Sequence, residues 1–449
     1  MKFAAYPRTK PSGVEWLGDV PEHWEVKRLG YVTQCLDGMR IPLNSEARSD
    51  RRGDYPYWGA NSIVDHVDAW LFDEPLVLLG EDGAPFFERN KTVAFFVQGR
   101  IWVNNHAHVL RPTKSCDPRY LSYALNQTQF GAFIDGATRD KLTQADMNSI
   151  PVAYPPPDEQ QMIAAFLDRE TERFDRLMKR KRQLIARLKE QRTALISRTV
   201  TRGLPPASAR AAGLPESPPL KPSGVEWIGD IPKHWDLVAY KRVCTRVDVG
   251  IAEAATHAYC DDGVPIIRST NVKANKLNTS DVLRIEPWFA EKNRTKTLRA
   301  GDLVTVRTGY PGTTAAVPPE FDGCQCFTLV LSTPKRTAHG PFFSWVLNSN
   351  PGASYFEMEG WGTAQTNISV PIVRFMPVPR PPLPEQVAIA AYLDAETAKL
   401  DALVGKVEAA VERLQEYRTA LITAAVTGKI DVRASVIIPT EPRVTSARP

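Results

Sequence analysis

Two pairs of side chains have the spacing of possible metal ligands. His106 and His108 are separated by one residue, and so are Cys324 and Cys326. A structural zinc site uses about four ligands, commonly as two pairs at a characteristic spacing, and no second pair accompanies either of these. We interpret both pairs as ordinary residues of strands, in which side chains alternate between the two faces, and predict no metal site.

Motifs for catalysis are also missing from the sequence. Gly428 and Lys429 are followed by Ile430 and lack the earlier glycine of a phosphate-binding loop, so no site for ATP hydrolysis is predicted. There is neither a GxGxxG after a strand nor an Asn-Pro-Pro-aromatic motif of the kind amino-methyltransferases use, and no convincing nuclease cluster of Asp with Glu-x-Lys. We therefore predict that the protein binds and recognises another molecule and has no catalytic residues of its own.

Side chains suited to reading DNA occur in patches within two regions, 27–157 and 238–384. Arg pairs with guanine edges and Asn or Gln with adenine edges, while Lys and hydroxyl groups hold phosphates. The first region has 14 basic and 15 acidic residues and the second has 16 and 12, so neither is uniformly basic. For each residue alone, an ordinary surface or turn role is the alternative. The residues predicted to contact DNA are Arg51, Arg52, Tyr57, Trp58, Asn61, Asn104, Asn105, Arg139, Lys141, Arg268, Thr270, Asn271, Lys273, Arg307, Thr308, Tyr310, Gln365 and Asn367.

The composition is that of a globular protein, with 43% hydrophobic and 24% charged residues among 449. These values exclude wholesale disorder and a collagen-like fibre, and no apolar run reaches the roughly 18–20 residues of a membrane span. The formal net charge of +5 permits nucleic-acid binding without requiring it. Because the N-terminus lacks the apolar core of a signal peptide and the cysteines are few and scattered, we expect a reducing, cytoplasmic location.

The chain repeats itself in two places. Residues 10–24 and 221–235, which we call the short repeats, are identical at 12 of 15 positions. Residues 159–201 and 385–427, the long repeats, are identical at 21 of 43 positions without a gap. A period above 200 residues is too long for a solenoid, so the sequence indicates a duplicated half-molecule. We expect the repeated His23-Trp24 and His234-Trp235 to pack the short repeats against neighbouring helices.

The long repeats are predicted to be helices because they follow proline clusters, contain no proline and carry a heptad pattern of apolar residues. At about 1.5 Å per residue, each helix would be roughly 65 Å long. The first repeat has net charge +5 and the second −3, which favours pairing of the two helices within one chain; a seam within a larger helical bundle is the alternative. The predicted seam residues are Leu167, Phe174, Leu177, Leu184, Leu188, Leu195, Leu393, Leu400, Leu403, Val407, Leu414 and Leu421.

Between a short repeat and the following proline hinge, each half alternates Val-, Ile-, Tyr- and Trp-rich runs with turn clusters. Runs such as 76–80 and 302–307 predict short strands, and helices are predicted near 118–127 and 341–350. Each region is therefore expected to be an α+β domain with a core of its own.

These features together resemble one known family. The short-repeat text KPSGVEWLGDVPEHW and the hinge-helix text PPPDEQQMIAAFLDRET, each with its counterpart in the other half, are similar to the specificity (S) subunit of Type I restriction-modification systems, as are YPYWGAN and GDLVTVRTGYPG. The resemblance covers about residues 6–430. One departure is that the first hinge reads Pro157-Asp158-Glu159-Gln160 where the second reads Leu383-Pro384-Glu385-Gln386, which leaves the start of the first helix open.

The resemblance implies a fold and a set of partners. It implies two α+β target-recognition domains separated by two long helices, which pair as an antiparallel coiled coil with pseudo-two-fold internal duplication. It also implies a DNA reader for a bipartite, asymmetric site, to which two modification (methyltransferase) subunits dock, with motor-nuclease restriction subunits as possible further partners. S-adenosylmethionine would bind the modification subunits and no cofactor would bind this chain.

The expected domain boundaries follow from the repeats and the hinges. They are 1–157 for the first recognition domain with its short repeat, 158–203 for the first spacer helix, 204–220 for a linker, 221–384 for the second recognition domain, 385–430 for the second spacer helix and 431–449 for a flexible tail. Two other functions stay open at this stage: an enzyme that acts alone, against which the missing motifs weigh, and a coiled-coil adaptor, which would leave two large α+β regions without a role.

Overall fold

The structure is a computed structural model that describes residues 3–88, 91–135, 140–253, 256–360 and 367–435. The chain divides into two compact units. Unit 1 comprises Met1–Arg182 and Glu408–Pro449, and unit 2 comprises Gln183–Val407. Each unit contains part of each long helix. Among the described residues, no helix is both long enough and apolar enough to span a bilayer.

Unit 1 is a mixture of short strands and short helices beside the long helices. Its short α-helices are Leu29–Val32, Ser45–Asp50, Pro118–Leu125 and Gln144–Ser149. Its strands are Thr9–Pro11, Asp19–Pro21, Glu25–Arg28, Thr33–Cys35, Arg52–Trp58, Ile63–Val67, Phe72–Asp73, Leu76–Gly80, Ala94–Val97, Arg100–Val103, Ala107–Pro112, Ile134–Asp135, Lys141–Leu142 and Pro151–Tyr154.

Unit 2 has the same kind of architecture. Its short α-helices are Pro206–Ala211, Pro287–Lys292, Gly340–Leu347, Asn350–Glu359 and Val370–Phe375. Its strands are Leu220–Pro222, Asp230–Pro232, Asp236–Ala239, Cys244–Val249, Tyr259–Cys260, Val264–Ile267, Val272–Lys273, Lys276–Leu277, Leu283–Ile285, Leu303–Thr305, Thr314–Ala316, Gln325–Cys326, Val330–Pro334 and Pro377–Arg380. The predicted α+β fold of both regions is confirmed, and helices lie where they were predicted near 118–127 and 341–350.

One sheet has the same strand order in both units although their sequences diverge. Each unit has a four-stranded antiparallel sheet in which the chain order of the strands is first, last, second, third. In unit 1 this order is Thr33–Cys35, Ala107–Pro112, Leu76–Gly80 and Ala94–Val97; in unit 2 it is Cys244–Val249, Val330–Pro334, Leu303–Thr305 and Thr314–Ala316. Each unit also has a second sheet with one parallel pair of strands. The duplication therefore extends through the divergent regions.

The long repeats form continuous helices, Pro157–Arg202 and Leu383–Val426. Proline occurs only in the first turn of each, where its missing N–H costs no helical hydrogen bond. After each helix the chain reaches a glycine with positive φ, Gly203 at 82° and Gly428 at 70°, as is common at helix C-termini. The prediction of two long helices is confirmed.

Within unit 1 the two long helices run antiparallel. The rings of Phe174 and Tyr417 lie 5.5 Å apart. Nearer the start of the first helix, the Tyr120 hydroxyl is 2.8 Å from the carbonyl oxygen of Ala153 and 3.3 Å from that of Val426, the last residue of the second helix. Residue numbers on one helix therefore rise as those on the other fall.

Within unit 2 the direction is also antiparallel. Arg192 Nε lies 2.9 Å from Asp401 Oδ1. A Cβ atom on Gly203, just past the end of the first helix, would lie 3.4 Å from Oε1 of Glu385 in the first turn of the second. The basic first helix and the acidic second helix thus form an ion pair across their junction.

At one heptad position the predicted seam residues are buried or half-buried, and at the other position they include exposed leucines. Leu177, Leu184 and Leu403 are 40%, 43% and 43% exposed, whereas the neighbours Met178 and Val404 are buried. Both neighbours are apolar, so the heptad pattern alone does not distinguish the two spacings. The other predicted seam residues are buried or half-buried: Leu167, Phe174, Leu188, Leu195, Leu393, Leu400, Val407, Leu414 and Leu421.

Two expected connectors are partly folded. The predicted linker 204–220 contains the helix Pro206–Ala211, and its Ala209 is 2% exposed within the core of unit 2. At the predicted tail, the Asp431 N–H donates to the Ala4 carbonyl at 2.8 Å, and Val432 is fully buried. The expectation of a flexible tail is therefore wrong for its first residues, and 436–449 lie outside the described residues.

Candidate nucleic-acid interface

A histidine of each short repeat contacts the start of a long helix. In unit 1, His23 Nε2 is 2.8 Å from Glu159 Oε2; in unit 2, His234 Nε2 is 2.9 Å from Glu385 Oε2. The tryptophan that follows each histidine is fully buried. This confirms that the short repeats pack against neighbouring helices, and a carboxylate in the first turn also complements the helix dipole.

In unit 1, a buried glutamine attaches the first long helix to the recognition region. Gln160 Oε1 accepts a hydrogen bond from the Asp117 N–H at 2.8 Å, and Nε2 donates to the Pro155 carbonyl at 2.8 Å. Asp117 caps the helix Pro118–Leu125. The hinge and this short helix are therefore fixed to the same side chain.

Unit 2 repeats this arrangement. Gln386 Oε1 accepts from the His339 N–H at 2.8 Å, and Nε2 donates to the Pro381 carbonyl at 2.8 Å. His339 precedes the helix Gly340–Leu347. Since buried backbone groups require hydrogen-bond partners, the Glu-Gln pair common to both hinges has a structural role in both units.

In unit 1, several loops meet where strands end. Arg52–Trp58 and Arg100–Val103 are parallel, so their carboxyl ends lie at the same edge. The end of Leu76–Gly80 joins them, because the Glu81 N–H donates to the His106 carbonyl at 2.9 Å. We call the residues of these loops the first strand-end surface: 59–62, 80–83, 104–106 and 140–142.

The first strand-end surface presents amide groups and one lysine. Asn61, Asn105 and Lys141 are exposed. Lys141 Nζ lies 3.4 Å from Glu81 Oε1, and Arg40 Nη1 lies 2.6 Å from Glu81 Oε2. The positive charges at this surface are therefore balanced by a carboxylate, and the exposed amides remain as the main hydrogen-bonding groups.

A polar network lies beneath this surface. His108 Nδ1 is 2.6 Å from Asp37 Oδ2, and His108 Nε2 donates to the Leu142 carbonyl at 2.9 Å. Burial alone would raise the pKa of Asp37, but hydrogen bonds from His108 and Val109, together with the charge of Arg40, lower it below its usual value.

The same network contains the one group of possible metal ligands found among the described residues, Cys35, Asp37 and His108. It is not one of the pairs considered from the sequence. Both ring nitrogens of His108 already have oxygen partners, and burial raises the pKa of the Cys35 thiol to about 11, so this is an ion-pair network rather than a set of free ligands. Of the predicted strand pair, only the buried His108 lies in a strand, Ala107–Pro112; the half-exposed His106 lies in the loop before it.

In unit 2 the corresponding strand ends carry hydroxyl groups and two arginines. Val264–Ile267 and Gln325–Cys326 are the parallel pair. We call the loops that follow them, with two neighbouring segments, the second strand-end surface: 268–271, 307–310, 327–328 and 367–368. Its exposed residues include Ser269, Thr270, Thr308, Thr328 and Tyr310, the last 81% exposed.

The two surfaces correspond hydrogen bond by hydrogen bond at the parallel strands. The Asn104 N–H donates to the Trp58 carbonyl at 3.0 Å in unit 1, and the Phe327 N–H donates to the Ile267 carbonyl at 2.8 Å in unit 2. In each unit the donor is the first residue after one parallel strand, and the acceptor is the last residue of the other parallel strand.

A second correspondence joins the other two segments. The Leu142 N–H donates to the Glu81 carbonyl at 2.8 Å, and the Ile368 N–H donates to the Arg307 carbonyl at 3.1 Å. Isolated bridges pair Asp82 with Lys141 and Thr308 with Asn367. The acidic pair Glu81-Asp82 of unit 1 therefore occupies the place of Arg307-Thr308 in unit 2.

The structure brings together most, but not all, of the predicted DNA-contacting residues. Trp58, Asn61, Asn104, Asn105 and Lys141 lie at or beside the first surface; Arg268, Thr270, Asn271, Arg307, Thr308, Tyr310 and Asn367 lie in the second. Lys273 is exposed on the adjacent strand Val272–Lys273. Arg139 and Gln365 lie outside the described residues.

Some predicted contacts have structural roles instead. Tyr57 is 1% exposed, and its hydroxyl accepts from the Leu43 N–H at 2.9 Å. Asn271 is 2% exposed and holds the backbone of its own loop. Asn104, 8% exposed, accepts from the His106 N–H at 2.8 Å. These side chains shape the surfaces from beneath, so the expectation of direct base contacts is wrong for them in this conformation.

Arg51 and Arg52 lie at the opposite end of their strand from the first surface. Arg51 pairs with Asp68 at 3.0 Å, and its guanidinium lies 4.8 Å from the ring centroid of Trp102. A strand of seven residues is about 20 Å long, so these arginines form a separate patch. Arg100, 4.1 Å from the ring of Trp70, belongs to the same end.

Sequence reasoning missed Ser269 and Thr328 of the second surface. Ser269 lies within the basic and amide-rich text Arg268-Ser269-Thr270-Asn271 but was not among the residues predicted there, whereas Thr328 lies in no such text. The signal that identifies them is topological: both follow the ends of the parallel strands, where Asn61 and Asn105 lie in unit 1.

Comparison with known proteins supports a single family. Residues 21–187 match the family described as Type I restriction modification DNA specificity domain. The Type I restriction enzyme MjaVIII specificity subunit of Methanocaldococcus jannaschii is 23% identical over 440 residues, covering 92% of this chain and 94% of that protein. A protein of Haemophilus influenzae named as a type I restriction enzyme specificity subunit is 35% identical over 144 residues, which are 32% of this chain and 36% of that protein.

A solved structure agrees at the level of the fold. A chain described in work on the assembly and conformational transition of the type I R-M system has a TM-score of 0.64 and 17% identity. The match covers 92% of this chain and 99% of that chain.

Proposed function

We propose that this chain, which resembles the specificity subunits of Type I restriction-modification systems, reads an asymmetric, bipartite DNA site, one half with each unit. The observation that carries the proposal is the pair of strand-end surfaces, which have matching backbone hydrogen bonds and different chemistry. The first presents amides with Lys141 and Glu81, and the second presents hydroxyl groups with Arg307. Base edges are distinguished by their donors, acceptors and methyl groups, so different surfaces select different half-sites.

The long helices serve, in this proposal, as a spacer and as the docking site of two modification subunits. Large apolar side chains are left exposed on these helices, namely Leu177 and Tyr417 in unit 1 and Leu184 and Leu403 in unit 2. Exposed apolar groups are typical of protein–protein contacts. The modification subunits bind S-adenosylmethionine and transfer the methyl group in the cytoplasm, and restriction subunits join them in the nuclease form of the complex.

The direct test exchanges residues 27–150 for the same region of another family member and sequences modified bases in cells that carry the whole system. We expect one half of the methylated motif to change and the other half to persist. If both halves stayed the same, the assignment of a half-site to unit 1 would be wrong. DNA affinity of the complex should also fall with added salt, because binding releases counterions from the phosphates.

A second test addresses the spacer. Insertion of four residues, about one helical turn, immediately after Gln160 is expected to alter the gap between the two halves of the motif. An unchanged gap would contradict the spacer role. Methyl transfer by the purified chain without modification subunits would instead support an enzyme that acts alone.

A further inference from the structure

Thr328 occupies in unit 2 the place of Asn105 in unit 1. Trp58 pairs with Val103 in the parallel strands of unit 1, and Ile267 pairs with Cys326 in those of unit 2. Counting two residues beyond Val103 and Cys326 gives Asn105 and Thr328. The residues between, Asn104 and Phe327, donate matching hydrogen bonds to the last residue of the other parallel strand. This correspondence therefore does not depend on sequence similarity.

The backbone of Thr328 has an unusual conformation. Its φ is +54°, and Asn275 is the other non-glycine residue with positive φ among those described. Asparagine adopts this region readily, and Asn275 Oδ1 accepts a hydrogen bond from the Ser344 hydroxyl at 2.8 Å. A β-branched residue there is a rare outlier, and such outliers cluster at functional sites, where the surrounding structure maintains the strain.

The surroundings of Thr328 hold its backbone and leave its side chain free. Its N–H donates to the Ile251 carbonyl at 2.9 Å. The residue is exposed, and its hydroxyl has no hydrogen-bond partner among the described residues. Asn105 is likewise exposed, with no partner for its side-chain amide in the part of unit 1 that is described. Both positions therefore present an unused hydrogen-bonding group at the end of a rigid strand.

We infer that Thr328 is a specificity-determining residue of the second half-site, at the position where Asn105 acts in the first. This inference rests on the proposed function. A threonine offers a hydroxyl, which both donates and accepts, and a methyl group suited to the methyl of thymine. An asparagine amide at the equivalent position suits adenine. The exchange of one for the other is a physical reason for the two half-sites to differ.

The test replaces Thr328 in the full chain, expressed with its modification subunits, and reads the methylated motif by modified-base sequencing. We expect Thr328→Val, which keeps the shape and removes the hydroxyl, to relax one position of the second half-site, with methylation of sites altered there rising about tenfold, near the low end of what a base contact provides. The first half-site should stay unchanged. Asn105→Ala should produce the reciprocal result.

Thr328→Gly separates the reading role from folding. Because glycine adopts positive φ without strain, this variant should unfold at the same temperature or about 2–4 °C higher, and yet relax the same position of the motif. Thr245→Ala is the matched control, since Thr245 is an exposed threonine on the strand Cys244–Val249, away from the second strand-end surface. It should leave the motif unchanged.

The outcomes distinguish this inference from the proposed function. An unchanged motif in both Thr328 variants would overturn the inference, and the proposed function would stand if replacement of residues 238–384 by another member's region still changed the second half-site. An unchanged motif after that replacement would overturn both. A lower unfolding temperature for Thr328→Gly would show that the conformation of this loop has another cause.

Discussion

Unit 1 and unit 2 each contain the start of one long helix and the end of the other. The contacts at the helix starts are the same in both units, whereas the packing at the helix ends differs. At both beginnings a histidine contacts a buried glutamate, and the next glutamine bonds two backbone groups. At the ends, a Cβ on Gly428 would overlap the ring of Pro21, whereas a Cβ on Gly203 would meet its nearest neighbour at 3.4 Å. The framework is therefore shared in its polar contacts but is packed more closely in unit 1.

The strand-end surfaces differ more than the framework. Unit 1 exposes the amides of Asn61 and Asn105, whereas unit 2 exposes the hydroxyl groups of Thr270 and Thr328. Side chains whose polar atoms are buried have to keep their partners, whereas exposed side chains at loop ends can change without loss of stability. The comparison teaches that one backbone plan can present two different recognition chemistries.

The largest effect is expected at the helix ends. Gly428→Ala should lower the free energy of unfolding by about 3–4 kcal/mol, because it adds a steric overlap to the cost of positive φ, whereas Gly203→Ala should lower it by about 1–2 kcal/mol. Denaturant unfolding of the full chain measures both. Equal losses would contradict the difference in packing between the two units.

The buried glutamines should behave alike. Gln160→Ala and Gln386→Ala each leave a backbone N–H and a carbonyl without a partner, and each should cost about 2–3 kcal/mol of unfolding free energy. Gln191→Ala, at an exposed position of the first long helix, is the control and should change stability by less than about 0.5 kcal/mol. A cost at only one of the two buried positions would break the equivalence of the hinges.

The seam can be tested with neighbouring residues. Met178→Ala in unit 1 and Val404→Ala in unit 2 should each cost about 2 kcal/mol, because both side chains are buried. Leu177→Ala and Leu403→Ala should cost about 0.5 kcal/mol or less in the isolated chain. The same two leucine variants should weaken assembly with modification subunits, measured by size-exclusion chromatography; unimpaired assembly would count against docking on this face.

The smallest effects concern two carboxylates with opposite pKa shifts. The pKa of Asp37 in unit 1 is lowered, so its ionised form stabilises the fold above about pH 4, and this stabilisation is lost as pH falls through the folded pKa. Burial raises the pKa of Asp302 in unit 2, so protonation of that group stabilises the fold as pH falls.

These opposite signs give a measurable prediction. Asp37→Asn should lower the unfolding free energy by about 1.5 kcal/mol at pH 7, and the difference from the parent should shrink toward pH 3. For Asp302→Asn the unfolding free energy of the parent should rise relative to that of the variant as the pH falls from 7 to 3. Parallel pH profiles for the two variants, from thermal unfolding, would refute the assignment.

Much of the fold was predictable because it depends on local patterns. The long repeats contain no proline, and their apolar residues recur at helical spacing, so two helices were expected and found. The repeated His23 and His234 indicated a shared packing role, which their contacts with Glu159 and Glu385 explain. The seam was harder, because Leu177 and Met178 are equally apolar and only the facing helix decides between them.

The candidate site was predictable in composition but not in geometry. Asn61, Asn105 and Lys141 come from separate stretches and meet because parallel strands end at one edge. Tyr57 and Asn271 have suitable side chains for DNA contacts, but they are buried, and burial depends on neighbours distant in sequence. Thr328 carried no sequence signal at all, since a single threonine between apolar strands is common.

The sequence by itself determined the duplication, the two helices and the alternation of strands and turns, because these follow from identity, periodicity and the backbone limits of proline and glycine. Only the tertiary structure decided which apolar neighbour enters the seam, which polar side chains reach solvent, and that Thr328 stands where Asn105 stands in the other unit. Those outcomes depend on contacts between residues far apart in the chain, which no local pattern encodes.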